Sequence, residues 1–148
     1  VSDLEDFRSR FLPRLMEAER ALHQGDIEPR LKLWTRNDPV SLFGAIGMCN
    51  IGWEQVGGTF DWLASTFSNF RSYDMEILTA DARGDLAYTV AIERHVTSID
   101  DRPIEPHALR VTQIYRREDG DWRVVHRHGD GNITQLPTDS EPPQPDSP

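Results

Sequence analysis

The segment His126-Arg127-His128-Gly129-Asp130 puts two imidazoles and a guanidinium at the end of an alternating strand, where apolar or turn residues would ordinarily finish it. Imidazole is the side chain that titrates near neutrality, and histidines two apart on a strand share one side, about 7 Å from each other. Three chemistries are open to the pair: two ligands of a metal, a general acid and base, or hydrogen bonds to a neighbour such as Asp130 that complete the sheet. No Asp or Cys is fixed beside them by local spacing, so neither a metal nor another cofactor is expected. Arg94 and Arg110 also lie within strand-like runs. A guanidinium on a largely buried strand needs an acidic neighbour or an anionic ligand, so each pairs with a carboxylate such as Glu93 or captures one from a ligand.

These residues are positioned by two kinds of element. Leu4, Phe7, Phe11, Leu15, Ala18 and Leu22 recur at helical spacing, with Ser2 and Glu5 as a capping box and Gly25 as the stop. Pro13 lies inside that pattern and predicts a kink or a later helix start. Asp26 opens a short second helix through Leu31 and Leu33, Asn37-Asp38-Pro39 reads as a turn, and Val40 to Phe43 as a short strand. After the glycine-rich stretch Gly44 to Gly52, a third helix carries Trp53, Val56, Phe60, Leu63 and Phe67 on one face; Gly57-Gly58 within it implies close packing or a bend. From Tyr73 the period becomes two. Strands over Tyr73 to Thr79, Leu86 to Thr97, Pro106 to Arg117 and Trp122 to His128, joined by tight turns, form an antiparallel meander. Helices first and strands afterwards give an α+β class.

Pairing the long hairpin about Asp100-Asp101 sets Ile92 opposite Leu109, Val90 opposite Val111 and Tyr88 opposite Gln113. Pairing the last hairpin about Asp119-Gly120 then brings Gln113 near His126 and Val111 near His128. Tyr88, Gln113, His126 and His128 thereby join an apolar surface, which is the make-up of a small-molecule cavity. The opposite face collects Glu93, His95, Arg110, Thr112, Arg123 and Arg127, with Ala91, Ile114 and Val125 suited to a contact between sheets. A one-residue slip or a bulge would exchange the two lists. Trp53 either closes the cavity mouth or packs in the core. Cys49 has no activating partner in sequence, and His23 and His107 read as solvated residues at a helix end and a strand start.

The chain has 148 residues and a formal charge of −9, enough for one domain with a sizeable core and unfavourable for contact with nucleic-acid backbones. One cysteine excludes an internal disulfide, and no secretory signal or membrane span is evident, so a soluble cytoplasmic protein is expected. The domain is expected over 1–131, followed by a disordered tail over 132–148, where Pro, Asp, Ser and Gln predominate.

The strands Leu109-Arg110-Val111-Thr112, the run Arg116-Arg117-Glu118-Asp119-Gly120-Asp121-Trp122 and the ending His126-Arg127-His128 resemble the closing strands of the nuclear transport factor 2-like superfamily. The likeness is to its SnoaL-like branch and to the calmodulin-dependent kinase II association domain, and more distantly to ketosteroid isomerase. It implies a cone-shaped curved sheet wrapped around the long first helix, a cavity at the open end, and a homodimer formed through the outer sheet face. Isomerases and cyclases of the superfamily use a catalytic Asp, whereas Val40-Ser41-Leu42-Phe43-Gly44 holds no acid and Thr112 or Gln113 stands where a late-strand acid would be. The arginine-lined pocket of the kinase domain is the nearer analogue, with Arg94 and Arg110 as its counterparts.

The resulting expectation is a dimeric domain binding a small, partly apolar molecule with an acidic or carbonyl group through Trp53, Tyr88, Arg94, Arg110 and Gln113. The alternatives are an isomerase, dehydratase or cyclase with His126 or His128 as general base, and an assembly module with an inert cavity.

Overall fold

The computed structural model describes residues 1–131; the tail expected over 132–148 lies outside the described residues. The first helix is continuous from Asp3 to His23 but changes winding on the way. Helix α1 (Asp3–Asp6), closed by the Ser2–Glu5 capping box, passes into a π-helical turn over Phe7–Phe11 and then into α2 (Leu12–His23). Pro13 has no N–H to give the preceding turn, and the ladder absorbs this by widening: the Leu12 N–H donates to the Phe7 carbonyl, five residues back. The wide turn directs both Phe7 and Phe11 inward. Their rings stack with centroids 5.6 Å apart and meet the Tyr115 ring edge-on at 5.0 and 5.3 Å.

Helix α3 (Glu28–Leu33) follows, then β1 (Ser41–Phe43), β2 (Cys49–Ile51) and α4 (Trp53–Thr66). The Asp38–Pro39 bond is cis, and Asp38 does more than turn the chain: its Oδ1 accepts from the Trp53 N–H at the start of α4. Gly57 is required by packing, since a Cβ there would lie 2.9 Å from the Trp53 ring, whereas one at Gly58 would meet nothing within 4 Å.

Strands β3 (Phe67–Arg83), β4 (Leu86–Ile99), β5 (Glu105–Glu118) and β6 (Asp121–Asp130) form the expected antiparallel meander. Strand β3 begins six residues earlier than its alternating pattern, directly from the end of α4. The six strands form one curved sheet in the order β2-β1-β6-β5-β4-β3, with β1 joined parallel to β6 and every other pair antiparallel. The concave face closes over α2, where Leu12, Leu15 and Ala18 enter one core with Trp34, Phe60, Tyr115, Trp122 and Val124. The class and architecture are therefore those expected: α+β, with a curved sheet around the N-terminal helix.

The register is not. Ile92 pairs with Arg110, Ala91 with Val111 and Thr89 with Gln113, because the chain reverses over the five residues between Ile99 and Glu105 and not about a two-residue turn. In the last hairpin the expected register holds from Glu118↔Asp121 to Tyr115↔Val124, after which Val125 is bulged out and Ile114 pairs with His126. One residue at each place exchanges the two faces.

Candidate functional site

The exchange turns Glu93, His95 and Arg127 inward, while Arg110 and Thr112 stay on the outer face. Small and polar residues on β4, Thr89, Ala91, Glu93, His95 and Thr97, are buried against the helices. At the open end, where α2, α3, α4 and the ends of β4, β5 and β6 meet the Gly44–Met48 loop, lies a cavity of about 370 Å³. Apolar residues such as Leu22, Leu42, Met48, Leu63 and Phe67 line much of it, while Glu19, His23, Arg30, His95, His107 and Arg127 supply the polar lining.

Two ion pairs are buried there. Arg30 on α3 reaches Glu19 on α2 through Nε at 2.9 Å and Nη2 at 3.3 Å, both side chains being 1 % exposed. Its guanidinium also lies over the Phe60 and Trp34 rings, 4.8 and 5.4 Å from the centroids. Arg127 on β6 donates through Nη1 to Glu93 Oε2 at 2.6 Å and to Gln113 Oε1 at 3.2 Å, and the Tyr73 hydroxyl donates to Glu93 Oε1 at 2.7 Å. Gln113 in turn donates to the Tyr115 hydroxyl, which also meets Thr89. Burial alone would raise the Glu93 carboxyl, but the charge and hydrogen bond of Arg127, with the Tyr73 hydroxyl, hold it below its ordinary value. Burial, then the Glu93 charge, pushes the Tyr73 phenol well up. The donor capacity of Arg30 is incompletely used: its Nη1 is buried without a hydrogen-bond partner among the described residues.

The three histidines form a stack. His23 packs on Phe67 at 4.4 Å and on His95 at 4.6 Å, and His95 packs on His107 at 4.9 Å with ring planes 26° apart. His23 Nδ1 lies 2.7 Å from the Glu19 carbonyl, which can only accept, so Nδ1 carries the hydrogen. Burial pushes the His23 imidazole below its ordinary value and lowers His95 to about 3, with the His23, His107 and Arg127 charges reinforcing the effect at His95. His95 Nδ1 and His107 Nε2 are buried without hydrogen-bond partners among the described residues.

The residues proposed from sequence lie elsewhere. Tyr88, 42 % exposed, stands on the outer face opposite Ile114. Arg94 pairs with Glu76 at 3.3 Å, and Arg110, more than half exposed, forms a bidentate pair with Asp130 at 2.9 and 2.6 Å. His126 and His128 also face outward. His126 Nδ1 meets Ser41 Oγ at 2.6 Å, and both rings are edge-on to Phe43 at 5.5 Å. Trp53 packs on Phe60 and beneath the Arg36 guanidinium, outside the cavity lining. Only Gln113 is on the interior face, and it reaches the cavity through Arg127. His23, expected in solvent, is buried, and so is Nε2 of His107. Glu19 and Arg30 left no trace in the sequence pattern beyond a charge on each of two helices. Glu93, His95 and Arg127 were legible as one face and assigned to the wrong side. Among the described residues no group of three or more His, Cys, Asp or Glu is arranged to hold a metal ion, and no helix is long and apolar enough to cross a membrane.

Solved structures share this fold. A proposed dehydratase of the nuclear transport factor 2-like family from Streptomyces avermitilis superposes with a TM-score of 0.71 at 18% identity, over 88% of this chain and 99% of that one. A nuclear transport factor 2-like protein of unknown function from Pseudomonas putida gives 0.70 at 22%, over 97% and 95%. A proposed calcium/calmodulin-dependent protein kinase II association domain from Xanthomonas campestris gives 0.65 at 16%, over 86% and 89%. At these identities the likeness carries the fold alone. No curated protein matches the chain. The sequence profile of the SnoaL-like domain matches residues 15–129, from within α2 to the penultimate residue of β6, and the chain belongs to that family.

Proposed function

We propose that this domain binds a small, partly apolar molecule with an acidic or carbonyl head group in the cavity at its open end, and that two copies pair through the outer sheet face. The observation that carries the binding reading is the unused Nη1 of Arg30 at a cavity of about 370 Å³ whose lining is largely apolar beside its internally paired charges. A buried cationic donor without an acceptor is costly, and a carbonyl or carboxylate oxygen from a ligand relieves that cost. The apolar remainder of the lining suits a hydrocarbon portion of the same ligand. Proton-transfer catalysis by His95 is the second reading, favoured by its unpaired Nδ1. A base with a value near 3 is a weak one at neutral pH, which ranks binding ahead of it.

Thermal shift with hexanoate and benzoate tests the reading. Both are expected to raise the melting temperature, and Leu63→Trp, which places bulk in the cavity lining, is expected to remove the response; no shift with either ligand would overturn it. The pairing reading is supported by the outer face near the β4–β5 register of Tyr88 with Ile114, where Leu86, Tyr88 and Ile114 are exposed and Val90 is half-buried beside them. Leu86 is 61 % exposed, and Ile114 of β5 lies beside Tyr88 at 36 %. Contiguous apolar surface of that kind on a sheet face is ordinarily covered by a partner.

A further inference from the structure

Charge bookkeeping around the cavity restricts what it can take. Its fixed charges come from every element packed on the histidine stack: Glu19 on α2, Arg30 on α3, Glu93 on β4, Arg127 on β6 and Arg102 in the β4–β5 loop. Tyr73 on β3 also faces the stack, and its phenol stays neutral. Glu19 with Arg30, and Glu93 with Arg127, cancel in pairs at direct contact distance. Arg102 is exposed, so water screens it. The buried set therefore sums to zero before a ligand enters. A carboxylate entering alone would leave a net negative charge in a low-dielectric enclosure, even with Arg30 Nη1 as its donor.

The remaining ionisable groups are His23, His95 and His107, in ring-to-ring contact within that cavity, His107 stacked on His95 and His23 tilted 47° to it. Each can take one proton. His95 is the poorest site, being the middle ring, with an imidazole on either side of it. The two ends, His23 and His107, are left. Cations on both at once would oppose each other across the stack, so the arrangement accommodates one added proton and not two.

We propose, resting on the binding reading above, that the cavity takes up monocarboxylic acids as a carboxylate together with one proton, that the proton resides on the His23–His95–His107 stack, and that dianions such as phosphate monoesters are refused. No bond to carbon forms or breaks; the proton comes from solvent and returns to it when the ligand leaves.

Calorimetry of hexanoate binding to the full chain, in buffers of low and high ionisation enthalpy, measures the proton directly. The expected result is uptake approaching one proton per hexanoate on the alkaline side of neutrality, with affinity falling up to tenfold per pH unit there. Hexanamide is expected to bind without pH dependence, and phenyl phosphate not to bind. The double variant His23→Gln/His107→Gln is expected to bind hexanoate more weakly and without proton uptake. Should that variant not fold, histidine side-chain nitrogen shifts in the wild-type chain serve instead, with one imidazole expected to become cationic as hexanoate saturates. Hexanoate binding that is independent of pH, uptake that survives the double variant, or three imidazoles that stay neutral would each overturn the proton assignment while leaving the binding reading intact. Absence of any hexanoate or benzoate binding would overturn both.

Discussion

Arg127 Nη1 and Glu93 Oε2 lie 2.6 Å apart, reaching each other from β6 and β4 across the interior face of β5, with the Gln113 amide and the Tyr73 hydroxyl completing the network. Both side chains are buried, so each charge depends on the other for its compensation. Arg127→Ala is expected to destabilise the domain by about 3–5 kcal/mol, because it leaves an uncompensated carboxylate and not merely a lost contact. The double change Arg127→Met/Glu93→Gln is expected to cost clearly less than the sum of its single changes. Urea denaturation of the wild-type chain, Arg127→Met, Glu93→Gln and the double variant checks this; additive effects would show that the pair is not energetically coupled.

The histidine stack gives the stability a distinctive acid limb. Because burial lowers His95 to about 3 and lowers His23 as well, the unfolded chain binds protons at a higher pH than the native one does. This contribution is full above the ordinary imidazole value near 6.5 and is lost as the pH falls from there toward the native values. Glu93, Glu118 and Asp121 are held below their ordinary values, so their contribution is lost only at lower pH, as the carboxylates take up protons. Between about pH 6.5 and 5, therefore, the histidines set the slope. His95→Gln is expected to flatten this interval in urea denaturation, leaving what His23 and the outward His126 contribute; an unchanged slope would mean that His95 is not held neutral by the fold.

Arg94 and Arg110 stand on the outer face in exposed pairs with Glu76 and Asp130. Pairs of that kind contribute about 0–1 kcal/mol. Arg110→Ala is accordingly expected to leave both stability and any hexanoate thermal shift nearly unchanged, whereas Leu63→Trp removes the shift. Loss of the shift in Arg110→Ala would return that residue to the binding site.

The apolar outer face carries its own test. A charge at Ile114, opposite Tyr88, would be buried without compensation if two copies pair there. Ile114→Glu is expected to yield monomers in sedimentation velocity, with the circular dichroism spectrum unchanged. A wild-type chain that sediments as a monomer would remove the pairing reading.

Adjacent glycines in α4 are expected to respond in opposite directions. Gly58→Ala meets nothing and gains about 0.5–1 kcal/mol of helix propensity. Gly57→Ala drives a methyl group to 2.9 Å from the Trp53 ring and is expected to lower the melting temperature despite the same propensity gain.

Much of this arrangement is legible along the chain, because local chemistry decides it. The capping box at Ser2, the helical recurrence from Leu4 to Leu22, the alternation from Tyr73 onward and the Asp119-Gly120 turn each depend on residues a few positions apart. The proline at position 13 announces a disturbance in the same way. The helix widens there, and with that wide turn Phe7 and Phe11 are both buried against Tyr115, a partner some hundred residues further on.

The faces of the sheet could not be read in that manner. Side chains alternate with a period of two, so a single extra residue reverses every later assignment. Here the deciding residues are the longer reversal between Ile99 and Glu105 and the bulge at Val125. Asp100-Asp101-Arg102-Pro103 marks the reversal but not its register, and Val125 carries no mark at all. Hydropathy pointed the wrong way besides, since the large apolar residues of β4 alternate onto its outer face while its glutamate and histidine face in. That inversion is stable because Glu93 meets Arg127 across β5 and His95 meets His23 from α2, partners brought together from distant parts of the chain. The sequence by itself determined which elements form and in what order; only the tertiary structure decided which side of them is the inside, because burying a charge is tolerable only where the fold has already delivered its counter-charge.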